Sequence, residues 1–385
     1  MTLSRTLLIG SIITAAISVL LTATIIGLAS FFISKDEIER QTQNQLVALR
    51  EEQKEFITSY LKQIHHQVKT QASSITVREA AKSFITSYYQ PSNFNLNSAE
   101  ISALKRYYTS QFGSRYKERN HNSDISPDQI FDALSEEAIF FQHHFISANP
   151  NPLGEKDKLV TPDTKINYRE VHETYHPEFR NFLNAFGYYD IFIIDAKTGD
   201  IVYSVFKELD FATSLTTGPF ASSGLADAFK KVRNGSSGEI GFSPFNAYTP
   251  SYEDPAAFIA SPIVDDNGET IAVLAFQMPI DKINQIMTMQ NSWKEKGLGE
   301  TGETYLVSED FKAQSLSRFL LENPEAYITS LSQTDTEKSV VEAIKRKGTN
   351  IGYQTIRTDA VERALSGTTG FELIEDYRGV EVLSA

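Results

Sequence analysis

One motif in the sequence is typical of a metal-dependent hydrolase, the H-E-x-x-H pattern at 172–176. On a helix, two histidines four residues apart share one face and can bind zinc, and the glutamate acts as a general base. Pro177 follows His176 directly and disfavours helical geometry there. The glycine and third histidine of the extended pattern are replaced by Phe179 and Phe182. We therefore expect that the chain is not an enzyme.

A milder interpretation of the same motif stays open. His172, Glu173 and His176 would form a zinc site in a membrane-anchored metalloprotein, or the two histidines would shape a pocket without metal. No serine nucleophile elbow and no phosphate-binding glycine loop is present in the sequence. We expect no catalytic residue, no resident metal and no cofactor.

Composition narrows the class of protein further. The chain has 385 residues, of which 41% are hydrophobic, enough for two or three folded modules. The formal net charge is −13, which argues against a nucleic-acid partner because phosphate binding needs a basic surface. There is no cysteine, so disulfides and thiolate metal sites are excluded.

The N-terminal segment 6–33 contains no charged residue. Its length of roughly 28 residues exceeds the ~20 that span a bilayer and the ~7–15 of a signal-peptide core. The sequence therefore predicts an uncleaved transmembrane helix. Arg5 precedes it, whereas Lys35 is followed by acidic residues, so the positive-inside rule favours a cytoplasmic N-terminus and an external remainder.

Helical periodicity follows the predicted span as far as residue 88. Its apolar stripe predicts a long stalk helix. Because an apolar helix face is stabilised when a second helix covers it, the stripe also predicts a homodimer. The stripe consists of Leu46, Leu49, Phe56, Tyr60, Ile64 and Val68. Residues 91–97 are interpreted as a turn, 99–147 as mostly helical, 149–167 as a loop and 168–185 as a helix.

From residue 187 the period changes to that of strands. We predict strands at 189–195, 201–208, 239–242, 258–264 and 270–278, with a short helix at 225–233. The turns at 197–200 and 265–268 have hairpin chemistry. An antiparallel sheet with helices beside it is an α+β fold.

A second, weaker copy is predicted after a helix at 280–294. Its strands are expected at 302–307, 370–375 and 380–384, and the sequence stops at Ala385 inside the last hairpin. Because an unpaired edge strand would be left, we expect the second unit to be truncated. A further span and an output domain would then also be missing.

The stretch Phe-Gly-Tyr-Tyr-Asp-Ile-Phe-Ile-Ile-Asp at 186–195 resembles the double Cache sensor domains of bacterial methyl-accepting chemotaxis proteins. So do residues 201–211, 258–281 and 299–307. The resemblance implies two PAS-like sheets, a membrane-distal one at 168–280 that binds a small molecule and an incomplete proximal one at 295–385. The transmembrane helix at 6–33 and the helical region at 34–167 complete the expected division of the chain.

The same resemblance implies a pocket lined by strand residues and by the loop after the second strand. The residues expected there are Tyr189, Asp190, Tyr203, Lys207, Glu208, Asp210, Phe211, Tyr248, Tyr252, Asp254 and Gln277. Acids and tyrosines would suit a cationic or polar ligand, and Lys207 would instead pair with a carboxylate. For each of them the alternative is a role in the core or at a solvated strand end.

These expectations combine into a receptor in the bacterial inner membrane, with a periplasmic sensor. Its preferred output is chemotaxis, through cytoplasmic signalling proteins. The same sensor on a histidine kinase or a nucleotide cyclase is the alternative, and a structural or adhesion protein at the membrane is a further one.

Overall fold

The computed structural model describes residues 3–90, 94–120 and 125–385, so part of the predicted turn at 91–97 lies outside the described residues. Helix α1, Leu3–Ala72, runs without a break for 70 residues, or roughly 105 Å. Its segment after Leu7 is long and apolar enough to cross a membrane, with a mean hydropathy of 2.3 over a window that is 0% buried. The predicted span and stalk are therefore one helix.

The stalk half of α1 packs against the body of the protein. Ile57, Ile64 and Val68 are buried in the main core, as the period of the helix requires. Phe56, which the predicted stripe includes, is 52% exposed, and its neighbour Ile57 is buried instead. The burial of this face packs the C-terminal half of α1 into the main core of the protein.

Six helices follow before the sheet, and the predicted helical region at 99–147 is mostly helical. They are α2 Ile75–Tyr88, α3 Ser98–Arg106, α4 Gly113–Arg119, α5 Pro127–Asp132, α6 Glu136–Gln142 and α7 Tyr168–Phe186. Short π-helical turns at Tyr107–Phe112 and His143–Ser147 extend α3 and α6. Between α6 and α7 the chain is mostly loop, with one 3₁₀ turn at Lys156–Lys158.

A five-stranded antiparallel sheet forms the centre of the molecule, in the order β2-β1-β5-β4-β3. Its strands are β1 Asp190–Asp195, β2 Ile201–Ser204, β3 Gly241–Tyr248, β4 Asp254–Val264 and β5 Thr270–Gln277, with α8 Gly224–Val232 after β2. Every residue of β1 is buried because α8 covers one face of the sheet and the N-terminal helices cover the other. The α+β prediction is confirmed.

Strand β2 ends earlier than the predicted 208. The carboxylate of Asp190 accepts a hydrogen bond from the backbone N–H of Phe206 (3.1 Å), which removes this donor from a ladder. The carboxylate also shares the N–H of Val205 (2.9 Å) with the carbonyl of Ile191 (3.1 Å). Lys207 then has a left-handed backbone with φ 57°. These local features turn the chain away from the sheet and into the loop that was expected to form the pocket.

The region after the sheet is mainly helical. It contains α9 Ile280–Met287, α10 Arg318–Glu322, α11 Pro324–Leu331, α12 Lys338–Lys347, α13 Asp359–Leu365 and a hairpin of β6 Glu372–Glu375 with β7 Glu381–Ser384. The predicted strand at 302–307 does not form, apart from an isolated bridge at Val307. Its backbone is bonded locally instead, since Ser315 Oγ accepts from the N–H of Leu306 at 2.9 Å. In the described residues the second unit therefore has a two-stranded sheet rather than a PAS-like one.

Candidate ligand-binding cleft

A cleft of about 750 Å³ opens where β1 begins and β2 has ended. Its wall is assembled from distant parts of the sequence: the helical region supplies Tyr107 and Arg119, the sheet supplies Gln277, and the C-terminal region supplies Lys347. Pockets for small molecules have this size and this mixture of aromatic and polar groups. A ligand there would contact three regions of the chain at once.

Six of the predicted site residues lie together in the cleft wall. They are Tyr189, Lys207, Glu208, Tyr252, Asp254 and Gln277. Ser251, on the 3₁₀ turn after β3, connects two of them, since its hydroxyl donates to Glu208 at 3.1 Å and accepts a long contact from Gln277 at 3.4 Å. No observation tests whether these side chains contact a ligand, and that role stays a prediction.

The other five predicted residues do not line this cleft: Asp190, Tyr203, Asp210, Phe211 and Tyr248. All five are at most 2% exposed and lie in the core behind the wall. Tyr248 donates to a carboxylate oxygen of Asp210, and Asp190 binds backbone N–H groups. Aromatic and acidic residues at strand ends serve the core here because both sheet faces are covered.

Sequence reasoning missed much of the wall. Tyr107, Phe112 and Arg119 come from the helical region, Lys156 from the loop before α7 and Lys347 from the end of α12. The ring of Phe112 stacks on that of Tyr252 at 5.0 Å between centroids and gives the wall an apolar surface. No spacing in the sequence links these residues, because long-range packing brings them together.

The charged groups of the wall are not equally paired. Asp254 has two cationic partners, Arg119 Nη2 at 3.0 Å and Lys347 Nζ at 3.2 Å. Lys156 donates only to carbonyl oxygens, of Asn149 (2.9 Å) and Asn151 (2.5 Å).

Lys207 is bonded differently from the other cations. Its ammonium donates to the carbonyl of Ser204 and lies 4.4 Å from the centroid of the Tyr203 ring. Burial lowers the pKa of Lys207 and raises that of Asp190 behind it, so both groups shift towards their neutral forms.

The H-E-x-x-H segment lies on α7, which continues through Pro177, so the predicted break in helical geometry is wrong. His172 and His176 stack at 4.3 Å between ring centroids and are fully buried. The Nδ1 atom of His172 lies 2.9 Å from the carbonyl of Val160. The Nε2 atom of His176 lies 2.7 Å from a backbone carbonyl, and its Nδ1 lies 2.8 Å from the hydroxyl of Tyr203.

Both nitrogens of His176 are therefore occupied. Glu173 lies 2.9 Å from Arg169, and the described residues contain no group of three or more side chains arranged to hold a metal ion. Burial lowers the pKa of His176 to about 3 and that of His172 well below its usual value, so both rings are neutral. The two rings pack between α7 and Tyr203 of β2.

A second cleft of about 460 Å³ lies between α1 and the C-terminal region. Arg50 and Gln53 of α1 face Glu303, Tyr305 and residues of the β6–β7 hairpin across it. It lies in the unit that the sequence assigned to the membrane-proximal side.

Comparison with known proteins does not identify a family for this chain. No protein-family model and no curated protein matches the sequence. Among solved structures, the sensor domain of the histidine kinase DctB from V. cholerae is similar over 71% of this chain and 86% of that one, with 10% identity and a TM-score of 0.28. A TM-score below 0.5 does not establish a shared fold.

Proposed function

We propose that the chain is the extracytoplasmic ligand-sensing part of a membrane-anchored bacterial receptor. The observation that carries the proposal is the cleft of about 750 Å³, whose wall joins the helical region, the sheet and the C-terminal region. A small molecule that bridges Arg119, Gln277 and Lys347 changes how these regions sit against one another. Such a change is what a sensor needs.

The link to the membrane is α1. Its apolar half serves as the anchor, and its other half packs through Ile57, Ile64 and Val68 into the same core as β1 and α7. The hydroxyl of Tyr188, just before β1, also donates to Gln67 of α1. A shift of the sheet on ligand binding is thereby passed to α1 and across the bilayer.

The preferred output is chemotaxis, which follows from the resemblance of 186–195 to chemoreceptor sensors. The receptor then acts as a homodimer through the exposed side of α1, which carries Phe56, and signals to cytoplasmic proteins through an output domain. A histidine kinase or a cyclase with the same sensor is the second candidate. Deletion of the gene separates them: a chemoreceptor loses the swimming response to the ligand, whereas a kinase or cyclase loses a transcriptional or second-messenger response.

Binding is tested on the full chain in detergent by screening its thermal stability against a small-molecule library. A ligand at 100 times its Kd adds about 2.7 kcal/mol to the free energy of unfolding, a clear rise in Tm. Ser251→Trp fills the cleft and should abolish the rise, whereas Ser236→Trp, on an exposed loop, should leave it intact. The proposal would be refuted if the screen finds no ligand whose stabilising effect Ser251→Trp abolishes.

A further inference from the structure

Two lysines in the cleft wall are buried without a carboxylate at ion-pair distance, although the charges of Asp190 and Asp157 act on Lys207 from farther away. Lys156 is 6% exposed and Lys207 is 2% exposed, and both line the cleft. In the described part of the chain no carboxylate oxygen lies within 4.0 Å of either ammonium group. Buried charges in proteins are ordinarily paired, so the two ammonium groups are the unusual feature of this wall.

Each ammonium has three donors, and the protein uses only some of them. Lys156 donates to two backbone carbonyls, and Lys207 donates to one. Rings lie close to both, with Tyr107 5.7 Å from Lys156 and Tyr203 4.4 Å from Lys207. Carbonyls and ring faces favour the charged form of a lysine but do not cancel its charge. One donor on Lys156 and two on Lys207 are left for a ligand.

The acids of the wall do not supply the missing charge. Asp254 is already neutralised by Arg119 and Lys347, at 3.0 and 3.2 Å. Burial, and then the neighbouring Asp210 and Asp190, raise the pKa of Glu208 well above its usual value. A negative charge on Glu208 is therefore disfavoured at this position.

We infer that the cleft binds an organic carboxylate, with its anionic oxygens between Lys156 and Lys207 and its carbon skeleton against Phe112 and Tyr252. The inference rests on the proposed function and names the ligand class of that site. A carboxylate accepts the free lysine donors as charge-assisted hydrogen bonds. An amine would meet two lysine side chains that are themselves donors and a Glu208 carboxyl whose negative charge is disfavoured by burial, which is unfavourable.

The test measures binding to the full chain in detergent with matched pairs of probes. The carboxylates are acetate, glutarate and benzoate, and the amines of similar shape are ethylamine, 1,5-diaminopentane and benzylamine. We expect at least one carboxylate to raise Tm and to saturate in calorimetry, and no amine to do so. Lys207→Met and Lys156→Gln should each weaken its binding by roughly tenfold or more, because each removes a charged hydrogen bond.

Control variants separate charge in the cleft from charge elsewhere. Lys158→Gln, whose side chain is 47% exposed, and Lys197→Met, on the exposed turn after β1, should leave the Kd unchanged. Lys156→Arg keeps the charge and should retain binding where Lys156→Gln loses it. Circular dichroism of each variant verifies that it is folded.

Three results would overturn the inference: no carboxylate binds, the amines bind in preference, or a carboxylate binds equally to the lysine variants. An amine or uncharged ligand that Ser251→Trp blocks would overturn the carboxylate assignment and leave the sensor proposal intact. If no ligand is found whose binding Ser251→Trp abolishes, both the carboxylate assignment and the sensor proposal are overturned.

Discussion

The cleft region and the C-terminal region both bury charged groups, but the hydrogen-bond and ion-pair partners of these groups differ. In the C-terminal region Arg318 is 1% exposed, and its guanidinium donates to Glu322 (3.0 Å) and to the carbonyls of Gly302 (2.6 Å) and Gly299 (3.0 Å). Glu303 beside it accepts from Ser317 Oγ and from the backbone N–H of Arg318. The charge of Arg318 is therefore paired within the protein.

Behind the cleft, several buried polar atoms lack a hydrogen-bond partner in the described chain. One carboxylate oxygen each of Asp190 and Asp210, and Nε2 of His172, are buried with no hydrogen-bond partner in the described chain. Buried polar atoms without partners are rare in proteins and mark places where something else binds or a group titrates. In the C-terminal region Nε of Arg346 and Nε2 of Gln354 are also buried without a partner in the described chain. The difference is therefore between the Arg318 cluster, whose charge is paired within the protein, and the cleft, whose buried lysines have no carboxylate at ion-pair distance among the described residues.

The largest effect is expected at the Arg318 cluster. Arg318→Met removes the buried guanidinium and leaves the carbonyls of Gly302 and Gly299 and the carboxylate of Glu322 without their donor. We expect a loss of about 3–5 kcal/mol in the free energy of unfolding, the cost of breaking a buried charged network. Chemical denaturation of the full chain measures it. The exposed Lys345→Met should change stability by less than about 0.5 kcal/mol, and an equally small loss for Arg318→Met would remove the distinction between the two regions.

At the cleft the same kind of change has the opposite sign. Lys207→Met removes an ammonium whose pKa is lowered by burial and which has no carboxylate partner within ion-pair distance in the described chain. Replacing a buried charge by an apolar side chain of similar length is neutral or stabilising, here by up to about 1–4 kcal/mol in the absence of ligand. Denaturation of the ligand-free protein is the measurement. A clear loss of stability would mean that Lys207 belongs to the scaffold.

The next prediction concerns how the buried His176 makes the free energy of unfolding depend on pH. Because burial lowers the folded pKa of His176 to about 3, the unfolded chain takes up a proton near pH 6.5 while the folded chain does not. The stability that neutral His176 contributes is present above pH 6.5 and is lost as pH falls towards 3, by up to about 1.4 kcal/mol per pH unit.

His176→Gln should therefore show a shallower loss of stability between pH 6.5 and 4.5 than the unmodified chain, by about that slope. Denaturation at three pH values measures it, with His66→Gln on the exposed face of α1 as the control. Parallel curves for His176→Gln and the unmodified protein would show that His176 does not resist protonation.

The sheet was predictable from sequence because its signals are local. The short, mostly apolar runs at 189–195 and 258–264 and the turn at 265–268 predict two strands and a hairpin, and β1, β4 and β5 lie there. The absence of the strand expected at 302–307 was not predictable from sequence. The N–H of Leu306 donates to the side chain of Ser315, nine residues further along the chain. A side-chain partner at that distance leaves no periodic trace.

The cleft was predictable only in part, for a similar reason. Glu208 and Gln277 follow from strand positions, but Lys156 and Arg119 reach the wall through the packing of loops and helices. Tyr203 has the same local pattern as a pocket residue, yet it lies in the core because its hydroxyl bonds His176 on a helix that covers the sheet. Which face is covered is a tertiary property.

The smallest effect tests whether the two regions differ in anything besides their buried charges. Ser223 caps α8 beside the sheet and accepts from the N–H of Ala226 at 3.3 Å, and Asn323 caps α11 in the C-terminal region and accepts from the N–H of Ala326 at 3.1 Å. Since a cap bonds only within its own helix, Ser223→Ala and Asn323→Ala should each cost about 1 kcal/mol. Denaturation of both variants under one condition compares them directly. Equal losses would mean that local structure is equally firm in both regions, so that the opposite signs expected for Arg318→Met and Lys207→Met come from how each charge is paired. A cap effect several times larger in one region would instead attribute that contrast to a general difference in stability.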